Sequence, residues 1–274
     1  MLKCPTGGPP IKLPSRRRTV AVLPTLLTLG NGVCGFGAIS LATGWPGHDP
    51  TTALFAAGCL IFAAMLFDAL DGAAARWANQ VTGFGAQLDS LCDAVSFGAA
   101  PAVLMLELVR PYGYHPRVMW VVAALYLVFA LLRLARFHAT DDSDSGMFQG
   151  LPTPGAAAVV ASLPVLTFGP RLLSGVEPEI GYAELWVPPA APVVTLLVAC
   201  LMVSRVRYPH AVRRLIRGRR GEPRIIRLAF AAAAVVAIPQ FAVPLLAGCY
   251  AFAPPATAIW SRLREVRTRS RVID

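Results

Sequence analysis

Charge is what this chain has least of. Of its 274 residues only 15% are Asp, Glu, Lys or Arg, where an average soluble domain carries about a quarter. Acids are scarcer than bases, 15 against 25, and nearly all the bases are Arg. Paired CxxC cysteines are absent. The six cysteines (Cys4, Cys34, Cys59, Cys92, Cys200, Cys249) are scattered, mostly through apolar stretches. That excludes a disulfide framework and a cysteine zinc site, and it reads them as small buried hydrophobes. The period-2 alternation of membrane barrel strands is missing. So is any internal repeat of the kind from which secondary transporters are built. The N-terminal stretch lacks a cleavable signal pattern. Lys3 to Arg18 is rich in Pro and Arg, and the first apolar run is too long for a signal core.

What is present instead is apolar residue, 55% of the chain with a mean hydropathy of +0.57. It is laid out in blocks long enough to cross a bilayer. Backbone polar groups inside a bilayer must be satisfied within the protein, which leaves helices once barrels are excluded. The expected fold is therefore all-α, a polytopic membrane helix bundle of about eight spans. The first six are expected near Val20–Thr43, Thr52–Asn79, Gly83–Val109, Val118–His138, Pro154–Phe168 and Val187–Ser204. A closing pair is expected near Ile225–Ile238 and Phe241–Trp260, broken near Pro239, with Pro244, Pro254 and Pro255 interrupting the last helix. This divides the chain into a disordered segment (1–19), a membrane core (20–206), a basic loop (207–224), a C-terminal helix pair (225–260) and a basic tail (261–274).

The Arg residues orient the bundle. With the N-terminus in the cytoplasm, that side holds Arg16–Arg18, Arg76, Arg133, Arg136, the cluster Arg205–Arg227 and the tail Arg262–Arg271. The far side holds Arg110, Arg117 and Arg171. The asymmetry obeys the positive-inside rule and favours an even number of spans. It also assigns the bases to topology and to anionic lipid rather than to nucleic acid.

One stretch carries the chemistry: FDALDGAAARWANQVTGFGAQLDSLCD, residues 67–93. Asp68 and Asp71 share a face at the end of the second span, and Asp89 and Asp93 share a face at the start of the third. A short turn with Gly83 and Gly85 folds one pair toward the other. Each charge at membrane depth costs roughly 2.5–3.5 kcal/mol, and two divalent cations would cancel four carboxylates. Oxygen-only ligands favour Mg2+, Mn2+ or Ca2+. A diphosphate is the natural guest of such a site, with Arg76 able to fork onto its oxygens and Gly72 and Gly85 leaving room for a nucleotide. An alcohol nucleophile needs a base within hydrogen-bond reach, and Asp93 is well placed for it.

These residues spell Asp68-x2-Asp71-Gly72-x2-Ala75-Arg76-x8-Gly85-x3-Asp89-x3-Asp93. A pattern of this specificity arises by chance in about one window in 10^10. It resembles the full signature of the CDP-alcohol phosphotransferase family. The resemblance implies a six-helix core, usually dimeric, with a cytoplasm-facing cavity, in the inner membrane of a prokaryote. It implies that Asp68, Asp71 and Asp89 are metal ligands and that Asp93 is both metal-proximal and the general base. It further implies Mg2+ or Mn2+, two ions, and that Asp68, Gly72, Arg76, Thr82 and Gly85 border the CDP group.

The flanking segments look like those of membrane-embedded bacterial and archaeal phosphatidylserine synthases: VLPTLLTLGNGVCGFGAIS, GAQLDSLCDAVSFGAAPA, LRLARF, FQGLPTPGAAA and LMVSRVRYP. Thr25 departs from the Asn usual after that Pro. The resemblance implies transfer of phosphatidyl from CDP-diacylglycerol to L-serine, giving phosphatidylserine and CMP. Serine brings a carboxylate, and Arg133 or Arg136 could clamp it. Alternatively these are snorkelling cations that anchor a helix end. Glycerol 3-phosphate or inositol phosphate as acceptor, and an ion-binding transporter, are the competing functions. Two motifs are set aside. Asp141, Asp142 and Asp144 lack the later ligands of a calcium loop and read as a solvated loop. GNGVCG, residues 30–35, fits GxGxxG but follows no strand, so its small residues are expected to allow close helix packing. Asn31 within it faces either the cavity or a neighbouring helix.

Overall fold

A computed structural model describes residues 17–47, 49–78, 83–139, 147–174, 182–204, 206–209 and 237–273. It is a helical bundle. Helix α1 (Arg17–Ala42) is followed by α2 (Pro50–Ala78) and α3 (Gly83–Asp93). A π-helical turn (Ala94–Ala99) joins α3 without a break to α4 (Ala100–Val109). Helices α5 (Pro116–Ala139), α6 (Thr153–Ser174) and α7 (Tyr182–Val203) complete the set, and α8 (Pro239–Ile273) closes the described chain. Six segments are long and apolar enough to cross a membrane: Pro24–Ala42, Pro50–Ala74, Gly83–Tyr112, Pro116–Arg136, Thr153–Leu173 and Leu185–Val203. They coincide with the six spans expected of the core, and the protein is an integral membrane protein.

Several boundaries differ from the sequence expectation, among them the start of α7 at Tyr182 rather than Val187. Helix α1 begins at Arg17, inside the segment expected to be disordered. Helix α6 runs past Phe168 to Ser174, with Pro164 and Pro170 inside it. Helix α8 carries Pro244, Pro254 and Pro255 inside it and continues to Ile273, through residues expected to form a tail. The expected span Ile225–Ile238 lies almost wholly outside the described residues.

The all-helical expectation also missed a small element. Strand β1 (Met147–Gln149) pairs antiparallel with β2 (Arg207–Pro209), Phe148 facing Tyr208 in register. Gly150 follows at φ +82, where a side chain would be strained and would meet the Met202 carbonyl. Its N–H donates to the Val206 carbonyl at 2.8 Å. The ribbon thereby ties the start of α6 to the end of α7.

Small residues let the helices approach closely, which is how membrane bundles pack when lipid supplies no hydrophobic drive between spans. Ala57, Ala64, Ala100, Ala130, Ala156, Ala157, Ala161 and Ala191 are all buried. A Cβ built on Gly58 would lie 2.7 Å from the Ala161 carbonyl oxygen, so α2 and α6 touch backbone to backbone. Large apolar side chains such as Val33, Phe36, Leu66, Leu132 and Leu197 point outward instead. The cysteines correct the expectation that they are buried: Cys92 is, but Cys59, Cys200 and Cys249 are exposed. On a membrane bundle the outer face is apolar too, so a small hydrophobe is equally stable there.

Because the spans run alternately up and down, one end of the bundle gathers the C-terminal ends of α2, α5 and α7 with the N-terminal ends of α3 and α6. The acids, Arg133, Thr153 and the β-ribbon all lie at that end.

Candidate active site

Helix α2 carries Asp68 and Asp71 in its last turns, and α3 carries Asp89 and Asp93 after a short turn. The hairpin brings them together. Carboxylate oxygens of Asp68, Asp71 and Asp89 all lie within 4.8 Å of one another. Asp93 is close enough to be electrostatically coupled to all three. Like charges so placed repel strongly in a partly buried site. Asp71 is 5% exposed, and its Oδ2 is buried with no hydrogen-bond partner. A cluster of oxygen ligands with an unsatisfied buried carboxylate oxygen fits a hard divalent cation. The cluster could therefore hold a metal ion.

The surrounding residues hold the acids in place. Thr28 of α1 lies within hydrogen-bond reach of Asp71, as does the Gly72 N–H. The Thr28 hydroxyl also reaches the Pro24 carbonyl at 3.0 Å, and having one proton it can donate to only one of the two at a time. Asn31, fully buried, donates from Nδ2 to Asp93 Oδ1 at 2.9 Å. Its own Oδ1 is buried without a partner. The Ser96 hydroxyl donates to the Asn31 carbonyl at 2.9 Å. Of its two alternatives Asn31 takes the second: it bonds a neighbouring helix, at the acid cluster.

Close approach of α1 makes this geometry available. A Cβ on Gly32 would lie 3.0 Å from Cys92 Sγ, and one on Gly35 would lie 2.6 Å from Ser96 Cα. The GNGVCG segment is a packing motif, as expected. The π turn starts immediately after Asp93. Such turns leave carbonyls out of the ordinary helical ladder and recur at functional sites. Here the buried Tyr126 hydroxyl of α5 donates to the Phe97 carbonyl at 3.1 Å.

Arg133 of α5 turns inward. It is half-buried, its Nη1 donates to the Thr153 hydroxyl at 2.9 Å, and it is electrostatically coupled to Asp93. Arg136, one turn on, is exposed. Gly72 and Gly85 lie on the same two helices as the acids, while Thr82, the side chain of Arg76, and Asp141, Asp142 and Asp144 lie outside what the structure describes. Sequence reasoning missed Thr28, which reaches Asp71, and the residues behind the site, Ser96 on the Asn31 carbonyl and Thr153 on Arg133. Only Asn31 had a readable signal, a polar residue within a span.

A model of the CDP-alcohol phosphatidyltransferase family matches residues 21–254. The chain is 32% identical over 192 residues to a CDP-diacylglycerol–serine O-phosphatidyltransferase of Helicobacter pylori, covering 69% of this chain and 72% of that protein. It is 33% identical over 189 residues to the enzyme of the same name from Bacillus subtilis, covering 69% and 90%. It is likewise 33% identical over 189 residues to an archaetidylserine synthase of Methanothermobacter thermautotrophicus, covering 68% and 69%.

Proposed function

The chain belongs to the CDP-alcohol phosphatidyltransferase family, and from that premise we propose that it transfers a phosphatidyl group from CDP-diacylglycerol to L-serine, giving phosphatidylserine and CMP. The donor half of this reading is carried by the three carboxylates within 4.8 Å of one another beside Asp93. The acceptor half is supported by the serine-transferring names of its relatives.

Asp93 takes the proton of the serine hydroxyl. The serine oxygen bonds to the phosphorus that bears diacylglycerol, and the bond from that phosphorus to the bridging oxygen of CMP breaks. Asn31 Nδ2 donates to Asp93 Oδ1, which would leave the other carboxylate oxygen for the nucleophile. Asp68, Asp71 and Asp89, with Asp93 at the margin, would hold Mg2+ or Mn2+, two ions in this reading. Bound there, the metal would polarise the diphosphate and offset the charge that develops on the departing phosphate. Gly72 and Gly85 would let the cytidine group approach the backbone, with Asp68, Arg76 and Thr82 beside it. Arg133 would take the serine carboxylate as a planar fork; its inward position supports it over the exposed Arg136. In the same reading the protein is a homodimer in the inner membrane of a prokaryote, with about eight spans, the last pair lying after residue 224. The basic residues at the acid-bearing end support a cytoplasm-facing site. Family membership sets aside the ion-transport alternative.

The test is an acceptor screen on purified protein with CDP-diacylglycerol and divalent metal. CMP release that requires L-serine is expected, with Asp93→Asn inactive. Release with glycerol 3-phosphate or inositol phosphate and none with serine would overturn the acceptor assignment.

A further inference from the structure

Helix α8 lies beyond the six membrane-spanning segments of the core, yet it reaches the site. A Cβ built on Gly169, near the end of α6, would lie 2.8 Å from Gln240 Cβ. One built on Gly155, near its start, would lie 2.8 Å from Tyr250 Cε1. Helix α8 therefore runs antiparallel to α6 and arrives at the acid-bearing end with Tyr250. Gly155 is two residues past Thr153, the residue that receives the Arg133 hydrogen bond. Arg133 and Tyr250 are electrostatically coupled to each other, and Arg133 to Asp93.

Tyr250 is also anchored. Its ring centroid is 6.2 Å from that of Tyr208, tilted by 53°. Tyr208, fully buried on strand β2, donates its hydroxyl to the Ala251 carbonyl at 2.9 Å. Burial pushes the Tyr208 phenol up to about 12, so it keeps the proton it donates. The ribbon that fastens α6 to α7 thus fastens α8 as well.

We propose that Tyr250 is a positioning and specificity-determining residue at the acceptor end of the site, its phenol orienting the Arg133 guanidinium toward an acceptor carboxylate. The inference rests on the transferase reading above. A guanidinium offers five N–H donors. The Thr153 hydroxyl accepts one of them, and the Tyr250 phenol oxygen is a further acceptor beside the same side chain. An arginine held on two sides presents its fork in one orientation, close to the base that must receive the acceptor's hydroxyl proton. A phosphate-bearing acceptor would meet the same cation, so the anion class rather than serine alone is what Tyr250 helps to select.

The experiment uses the full chain in detergent and follows CMP release. Tyr250→Phe keeps the ring against Gly155 and Tyr208 and removes only the hydroxyl. The expected result is a KM for the acceptor raised by about tenfold, with the KM for CDP-diacylglycerol within about twofold of the parent. Gly155→Ala, which displaces the ring, should shift the acceptor KM in the same direction. An unchanged acceptor KM in Tyr250→Phe, or a fall in kcat alone, would overturn the proposal. Wild-type protein that turns over only a phosphate-bearing acceptor would overturn the serine assignment. Tyr250 would then be judged on the KM of that acceptor.

Discussion

Asn31→Ala isolates the support of the proposed base from the base itself. Asn31 is fully buried, and its Nδ2 lies 2.9 Å from Asp93 Oδ1. The substitution deletes that bond and leaves the backbone carbonyl that receives Ser96. A hydrogen bond to a charged group contributes about 1.5–3 kcal/mol. If all of it serves to hold the base for proton transfer, kcat should fall by about 10- to 150-fold. Among the described residues the Asn31 side chain hydrogen-bonds Asp93 and not the three clustered carboxylates, so the KM for CDP-diacylglycerol should stay within about threefold. The assay is steady-state CMP release at saturating metal, with binding of CDP as the check that the site is intact. An Asn31→Ala protein that binds CDP normally and turns over within twofold of wild type, beside an inactive Asp93→Asn, would refute the idea that Asn31 orients the base.

Two other perturbations follow from the packing. Gly35→Ala forces a methyl to within 2.6 Å of Ser96 Cα, so α1 must move from the π turn at a cost of about 1–3 kcal/mol; thermal unfolding in detergent should show a lower midpoint. Asp49 precedes α2 and accepts from the Thr51 hydroxyl and from the Thr52 N–H at 3.3 Å, with Pro50 in the first helical position. The Thr51 hydroxyl foremost, with the Thr52 N–H, holds the carboxyl below the usual carboxylate range. Its stabilising contribution is present above the unfolded-state pKa and is lost as pH falls through the lower folded-state value. Asp49→Ala should therefore lower the unfolding midpoint at neutral pH, and the difference from wild type should vanish in acid.

The bundle and the acid hairpin were legible because each is written in local spacing. Blocks of apolar residue mark the spans, and separations of three and four put Asp68 with Asp71 and Asp89 with Asp93. What surrounds the hairpin was not legible, because it depends on contacts between residues far apart in the chain. Asn31 and Asp93 are joined across 62 positions, and Arg133 and Thr153 across 20. No spacing rule predicts either pair. The choice between Arg133 and Arg136 turns on which face of α5 meets α6, and in an apolar helix with no polar face the sequence does not mark it. The β-ribbon escaped notice for another reason: three-residue strands are too short to show alternation, and proline closes the second. Helix α8 crosses three prolines that sequence reasoning treats as breaks.

Chelation tests most directly whether the acid hairpin acts through divalent metal. Purified protein stripped with EDTA should lose serine-dependent CMP release and regain it on adding Mg2+ or Mn2+. Asp71→Asn should raise the metal concentration needed for half-maximal rate by at least about tenfold. CMP release that persists undiminished in EDTA, or an Asp71→Asn protein with the metal dependence of wild type, would contradict the account.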